Sequence, residues 1–586
     1  MKNKKSSLIS PSNPLALNMG RVTKRNISGH TYYYFEWEEG GKKRSKTISK
    51  EEYDSLKEQI ARRRELSKGA RIASLETKEK GPTSYNCNVI VGEALKVLAS
   101  SVRGLRKRDC FEKIEEYINS DQSGKILILY GLRRTGKTTL IRQSILEMGD
   151  EDFSRSAFIQ IGKGDSLKKL NEDLKALYDG GYRYIYIDEV TYLEDFIEGA
   201  ELFSDIYASM GMKIILSGTD SLGFYLSKGE HLYDRCYLIH TTFIPYREFE
   251  RVLGKKGIDE YIVYGGTMAM EGTPYNENSS ILAPYEEYLD TAVAENIQHS
   301  LRYYQDGGHF RDLKRLYDEG ELTSAINWVV EDMNHDFTKS ALEHDFVSHD
   351  FGLSARNLRK DRFNPDDTLD KVDMEKMLSS FRKLLSIVNP SDRKVPLEDY
   401  HLSQIKEYLL LLDFVKEVDV FSLPSSSKSR KKEIVTQPAI RFNQVKKLVD
   451  VILLDPVFDE RPQREIEALK ERILDEVKGR MMEDIVLLES VLSSKGESVF
   501  KLEFPSGEFD MVKVYDGGRW CEVFEIKHSD KTSPGQLSHL LDEEKCRLTE
   551  NKYGPIKRKT LIYRGESRQE GDITYLNVEE YLNSLS

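Results

Sequence analysis

The sequence predicts an α/β fold built around a P-loop NTPase domain, on three observations. Residues 125–139 read KILILYGLRRTGKTT, an apolar run, a glycine-bounded loop and the start of a helix. About 50 residues on, the apolar run YIYI ends in Asp188-Glu189. Around them, short apolar runs alternate with helical stretches, the pattern of a parallel sheet covered by helices.

The first run suits a strand buried on both faces, because five of the six residues 125–130 are apolar or aromatic. Gly131, Leu132, Arg133, Arg134, Thr135, Gly136, Lys137 and Thr138 follow as G-x-x-x-x-G-K-[ST], with Thr139 already helical. The glycines let backbone N–H groups close around phosphate oxygens, and the helix N-terminus adds partial positive charge. Lys137 is expected to reach the β- and γ-phosphates and Thr138 to hold Mg²⁺, which makes ATP and Mg²⁺ the expected cofactors. ATP is preferred over GTP by default, no N-K-x-D pattern being apparent near the fifth strand. Asp188, at a strand's carboxyl end, suits the Mg²⁺ hydration shell, and Glu189 suits polarisation of the attacking water. With further strands at 157–161, 213–216 and 236–240, the expectation is a five-stranded parallel sheet.

Composition bounds the rest. A chain of 586 residues with 39% hydrophobic and 32% charged residues is expected to be soluble and to hold several domains. It contains no run of 18 apolar residues, so no membrane span is expected, and its start lacks the apolar core of a signal peptide. Cys87, Cys110, Cys236, Cys521 and Cys546 are scattered without a C-x-x-C pair, which fits a reducing cytoplasm. Net charge is −11, but residues 1–80 carry 19 Lys/Arg against 10 Asp/Glu. Either a basic module meets a polyanion, or the start is a solubilising arm.

In order, residues 1–20 read as a tail and 21–68 as a small basic β-hairpin or three-stranded sheet with a helix over 50–66. Tyr32, Tyr33, Tyr34 and Trp37 stand there among Arg21, Lys24, Arg25, Lys42, Lys43 and Arg44, as in nucleic-acid readers, although alternation buries about half of such aromatics as core. Residues 69–87 read as a linker, 88–245 as the P-loop domain with leading helices at 89–103 and 108–120, and 246–300 as a helical lid closing over the nucleotide. Residues 301–398 form a charged helical region whose His335, His344 and His349 are either metal ligands or solvated. Residues 399–460 read as a helix over 399–414 then a hairpin of strands over 417–423 and 433–442, winged-helix-like, with Lys428, Arg430, Lys431 and Lys432 at a tip that either neutralises DNA phosphates or is merely solvated.

Residues 461–586 hold the second constellation. Asp510 and Glu525-x-Lys527 fall on hairpin-joined strands, and Glu525 and Lys527, at i and i+2, share a face. Asp510, Glu525 and Glu483 from the preceding helix can hold Mg²⁺ or Mn²⁺, and Lys527 can steady a nucleophilic water or transition-state charge. Gln536 can hold the start of the next helix nearby. The other reading is a salt-bridge cluster in a domain that docks a protein partner.

Two resemblances add to this. A P-loop with Asp-Glu on the third strand resembles the additional-strand ATPases, which include the AAA proteins. That resemblance implies a fourth strand between the two nucleotide-binding ones, a γ-phosphate sensor at Thr219 (or Ser217), and at Arg235 an arginine acting in a neighbouring subunit of a homo-oligomer, unless it is a surface salt bridge. The series GLRRTGKTTLI, YIYIDEVTYLEDF, ILSGTDSLGF, DRCYLIHTTFIPYREF and YIVYGGTMAM is similar to bacterial and archaeal AAA-like ATPases that end in a restriction-endonuclease-like domain. Asp234-Arg235 and Gly265-Gly266-Thr267-Met268 depart from that family's usual Gly-Arg and Gly-Gly-Phe-Pro. The D…E-x-K spacing resembles the PD-(D/E)xK nuclease core, with Phe509-Asp510 for Pro-Asp. The resemblance implies an ATPase acting on DNA, with a C-terminal nuclease-like domain.

Overall fold

The computed structural model describes residues 21–27, 30–39, 42–50 and most of 85–266, 312–337 and 397–585. Several expectations lie outside the described residues: Arg133, Thr219, Lys428, the three histidines His335, His344 and His349, the helix over 51–66 and the lid beyond residue 266. The chain divides into two compact units, residues 1–85 with 89–101 and residues 86–88 with 102–586.

The first unit contains an antiparallel sheet of β1 (Arg21–Ile27), β2 (His30–Glu39) and β3 (Lys42–Ile48), in the order β1-β2-β3. In register, Arg25 stands opposite Tyr32 and Arg44 opposite Trp37.

The second unit carries two sheets. Strands β5 (Ile126–Tyr130), β6 (Ser156–Gln160), β7 (Tyr184–Asp188), β8 (Lys213–Gly218) and β9 (Cys236–His240) run parallel in the order β6-β7-β8-β5-β9. Strand β8 therefore stands between the P-loop strand β5 and the Asp188 strand β7. The sheet has six strands rather than five, because residues 88–90 form a short edge strand, β4 (Asn88–Ile90). The predicted helix over 89–103 is accordingly shorter, Gly92–Ser100, after a break at Gly92 (φ +58°).

The other sheet has eight strands: β10 (Val415–Ser422), β11 (Arg430–Val435), β12 (Ser498–Phe504), β13 (Gly507–Tyr515), β14 (Trp520–Lys527), β15 (Ile556–Tyr563), β16 (Arg568–Glu570) and β17 (Ile573–Asn577). Their order is β11-β10-β12-β13-β14-β15-β17-β16. The long helix Gln463–Leu492 precedes β12, and Glu543–Tyr553 links β14 to β15 in a parallel crossover. The expected winged-helix hairpin is corrected here. Its two strands are β10 and β11, and β10 pairs in parallel with β12, so the hairpin extends the C-terminal sheet instead of projecting from it. Strand β11 also stops at Val435, and the stretch to Phe442 read as strand belongs to the helix Pro438–Ile452. Proline at the first helical position explains the change, since it cannot donate to a ladder but is pre-set for a helix start. The tip cations among the described residues are engaged: Arg430 with Glu503, Lys431 with Asp419 (2.8 Å) and Lys432 with Asp484 (2.5 Å).

Of the expected lid, the helices Tyr246–Leu253 and Ile258–Tyr264 are described. Tyr246, Phe249, Ile258, Tyr261 and Ile262 share one core with Met481, Ile485, Phe524, Ile526 and Leu582 of the C-terminal region. Gly266, the second residue of the Gly-Gly pair (φ +98°), lies so close to Gln437 that a Cβ would sit 2.8 Å from its Cα. Only glycine permits that approach.

Glu489, on the long helix, is buried in this junction and accepts the Tyr246 N–H at 2.7 Å. Burial pushes its carboxyl up to about 7, against the Tyr246 and Tyr261 hydrogen bonds and Arg247. A raised carboxyl pKa favours the folded state while the group is protonated. Its contribution is therefore full below the ordinary value of 4.5 and lost as pH rises through about 7. The loss is of order 3 kcal/mol. Urea midpoints measured between pH 5 and 8 should fall for the wild type and fall much less for Glu489→Gln, which keeps the acceptor without the charge.

Candidate functional site: a phosphate loop and a carboxylate–lysine centre

The loop between β5 and the helix Lys137–Leu146 is fixed from below. Thr241, just after β9, donates from both its N–H (2.8 Å) and its Oγ1 (3.0 Å) to the Tyr130 carbonyl, and its Oγ1 lies 3.0 Å from Thr135 Oγ1. A Cβ on Gly131 would sit 2.4 Å from the Thr241 carbonyl, and its φ of +138° excludes other residues as well. Gly136 (φ +93°) starts the helix, which contains Thr139. Arg134 adopts φ +61°, a conformation that costs a non-glycine residue roughly 1 kcal/mol. Lys137 is buried and donates to the Gly131 and Leu132 carbonyls at 2.8 Å each. Leu132 has its side chain 1% exposed in a core with Leu316, Tyr408, Phe414 and Ile440, so its side chain packs while its backbone shapes the loop.

At the neighbouring strand ends, Asp188 is buried and takes hydrogen bonds on both oxygens, from Thr138 Oγ1 (2.9 Å) and from Ser217 Oγ. Two hydroxyls and one carboxylate form a hard-oxygen donor set that fits Mg²⁺. Ser217, the second choice as sensor, lies on β8. Glu189 follows at φ +56°, a strained position of the kind found where a side chain must be aimed. Arg235, at the foot of β9, pairs within this chain with Asp205 (3.3 Å), and both side chains are more than 40% exposed. Sequence reasoning missed Arg108. It is buried, donates Nη1 to the Thr135 carbonyl (2.8 Å) and pairs through Nε with buried Glu248 (2.8 Å).

The second centre lies on β13 and β14. Lys527 Nζ is 3.2 Å from Asp510 Oδ2 and 2.9 Å from Glu525 Oε2. Asp510 also accepts the Ile526 N–H at 2.7 Å. Among the described residues, Glu483, Glu508 and Asp510 offer carboxylate oxygens within 4.8 Å of one another, a set that fits a hard divalent cation. Of the expected ligands, Asp510 and Glu483 fall in this group with Glu508, and Glu525, 1% exposed, lies beside it against Lys527. Glu508 was legible, since i and i+2 on a strand share a face. Arg480 reaches Glu483 (2.9 Å) and Lys501 reaches Glu508 (2.6 Å). Gln536 caps a short turn through the Ser533 N–H (3.0 Å) and donates to Ser529 Oγ (3.0 Å).

The electrostatics divide the carboxylates. Burial would raise Asp510, but Lys527, then Lys501, and the Ile526 N–H hold it below the usual range. Burial and then Asp510's charge push Glu525 well up and Glu483 up. Burial would lower Lys527, but Asp510 and Glu525 outweigh it and raise it well above its ordinary value.

The first of these sites lies in a stretch similar to the AAA-type P-loop ATPase domains. Residues 123–250 match the family profile of an AAA domain, and residues 17–58 match a domain of unknown function, DUF6788. No curated protein sequence matches the chain. Among solved structures, the chain is similar to PCH-2 of C. elegans at 16% identity and a TM-score of 0.19, over 37% of this chain and 62% of that one. It is also similar to a chain from a structure on katanin self-assembly, at 15% identity and a TM-score of 0.18, over 54% of this chain and 88% of that one. The chain thus spans less than two thirds of the PCH-2 chain. Among the described residues, no helix is long and apolar enough to cross a membrane.

Proposed function

We propose that this protein hydrolyses ATP at the P-loop and acts on DNA through a metal-dependent phosphodiesterase centre of the PD-(D/E)xK kind in its C-terminal sheet. At the P-loop, Thr138, Ser217 and Asp188 would hold Mg²⁺, whose charge neutralises phosphate oxygens when bound. Lys137 would exchange its two carbonyl partners for the β- and γ-phosphates, and Glu189 would orient the attacking water. Arg235 would act on a neighbouring copy only after leaving Asp205. At the C-terminal sheet, Glu483, Glu508 and Asp510 would hold Mg²⁺ or Mn²⁺, which lowers the pKa of a bound water and supplies positive charge. Glu525 would orient Lys527, and Lys527 would steady the water or the charge developing on phosphate.

The observation that carries this reading is the convergence of Asp510, Glu525 and Lys527 on one point, Lys527 Nζ lying within 3.2 Å of both carboxylates. A helix–β12–β13–β14–helix–β15 order around the centre supports it. The test is Mn²⁺- and Mg²⁺-dependent cleavage of plasmid and linear DNA. Lys527→Ala should lose roughly 10²-fold or more in rate, and equal cleavage by both proteins would end the nuclease reading. One observation favours a second reading, an ATP-dependent switch that binds a protein partner and has a silent C-terminal centre. Asp510, Glu525 and Lys501 are all nearly fully buried, as in a structural ion cluster. No cleavage of any DNA by the wild type would favour it.

A further inference from the structure

The two centres are joined by one pair of helices. At the P-loop end, the Thr135 carbonyl is held by Arg108, and Arg108 by Glu248 on the helix Tyr246–Leu253. At the other end, Asp259, on the helix Ile258–Tyr264, grips the segment that follows Lys527. Its Oδ1 is 2.9 Å from His528 Nε2 and its Oδ2 is 3.1 Å from Arg564 Nη2, just past the end of β15. Lys478 of the long helix approaches the same carboxylate at 3.6 Å. The second helix is further pinned by Glu579, whose Oε1 accepts the Ile258 N–H at 3.0 Å.

Strand alternation makes this grip consequential. Glu525 and Lys527 face the carboxylate centre, so Phe524 and Ile526 face the opposite side, where they share a core with Tyr246, Phe249, Ile258 and Tyr261. The Ile526 N–H is also a hydrogen bond to Asp510. A shift of the helix pair therefore moves the residue that lies between Glu525 and Lys527 and holds Asp510. Packed cores pass on such shifts because they are dense and only slightly compressible.

We propose that Asp259 is a positioning residue: through His528 and Arg564 it couples the helix pair to the Glu525–Lys527 strand end, so that nucleotide at the P-loop alters the carboxylate–lysine centre. The inference deepens the function proposed above and rests on it for its meaning. Coupling is reciprocal, so ligation at the carboxylates would alter nucleotide affinity by the same factor.

The test is amide hydrogen exchange of the full chain, read on peptides covering residues 522–530, with and without the β,γ-imido analogue of ATP. In the wild type, exchange of this segment should change by roughly fivefold or more, the low end of ordinary coupling. Asp259→Asn should abolish the change while the P-loop peptide still responds, and Asp259→Glu should restore part of it. A merely structural Asp259 would instead raise exchange equally in both nucleotide states. Lys137→Ala should remove the response everywhere. The inference is overturned if the segment ignores nucleotide while the P-loop responds, or if Asp259→Asn keeps the wild-type change. DNA cleavage reads the other reading separately. A protein that cuts DNA without a nucleotide-dependent segment sinks only the coupling, and one with the coupled segment but no cleavage sinks only the nuclease.

Discussion

Lys137→Ala is expected to lose nucleotide binding and to reduce ATP turnover by about 10²–10³-fold or more, the order of loss when one preorganised charge partner is removed. The ammonium already lies on the Gly131 and Leu132 carbonyls, at the mouth of the loop whose N–H groups would cradle phosphate. Phosphate offers a better partner than those carbonyls, so the lysine can change sides without leaving the loop. Alanine removes the cation and also takes its donor from the Gly131 carbonyl, at roughly 1–3 kcal/mol if that oxygen stays dry, while the Leu132 carbonyl keeps the Thr135 hydroxyl at 2.7 Å. Glu189→Gln is the counterpart: it should keep nucleotide affinity and lose about 10²–10⁴-fold in turnover, the range for a lost general base. A fluorescent nucleotide titration with a phosphate-release assay checks both. Full binding by Lys137→Ala would remove the loop from the mechanism, and wild-type turnover by Glu189→Gln would mean that another group orients the water.

How far these sites were legible depends on sequence distance. The P-loop was plain because every essential residue lies within one strand, one loop and one helix start, where local geometry decides placement. Asp510, Glu525 and Lys527 were legible because a period of two fixes which residues share a sheet face. What stayed hidden depends on pairings between distant residues: Arg108 meets Glu248 140 positions on, and Asp259 meets His528 269 positions on. No periodicity encodes such meetings. The packing of Leu132 was invisible for the same reason, since the motif fixes its backbone and says nothing about what covers its side chain. The hairpin error differs in kind. Pro438 stood inside a run read as strand, and the rule against proline in a ladder was available to end it.

The hidden Arg108–Glu248 pair has the largest expected effect on stability. Arg108→Ala should cost about 3–5 kcal/mol, because it leaves the Glu248 carboxylate buried without a partner. The side chains are 6% and 4% exposed, so water cannot easily take the place of the guanidinium. The penalty belongs to the orphaned charge rather than to the pair as such. The double variant Arg108→Met with Glu248→Leu keeps the volume apolar and should recover most of the loss. Nucleotide affinity should not recover with it, because neither residue of the double variant can donate to the Thr135 carbonyl that Arg108 holds at 2.8 Å. Urea midpoints and nucleotide titrations on the two variants therefore separate fold from site. Affinity returning together with stability would mean that the P-loop keeps its shape without Arg108, and the helix pair would then have no direct hold on the nucleotide.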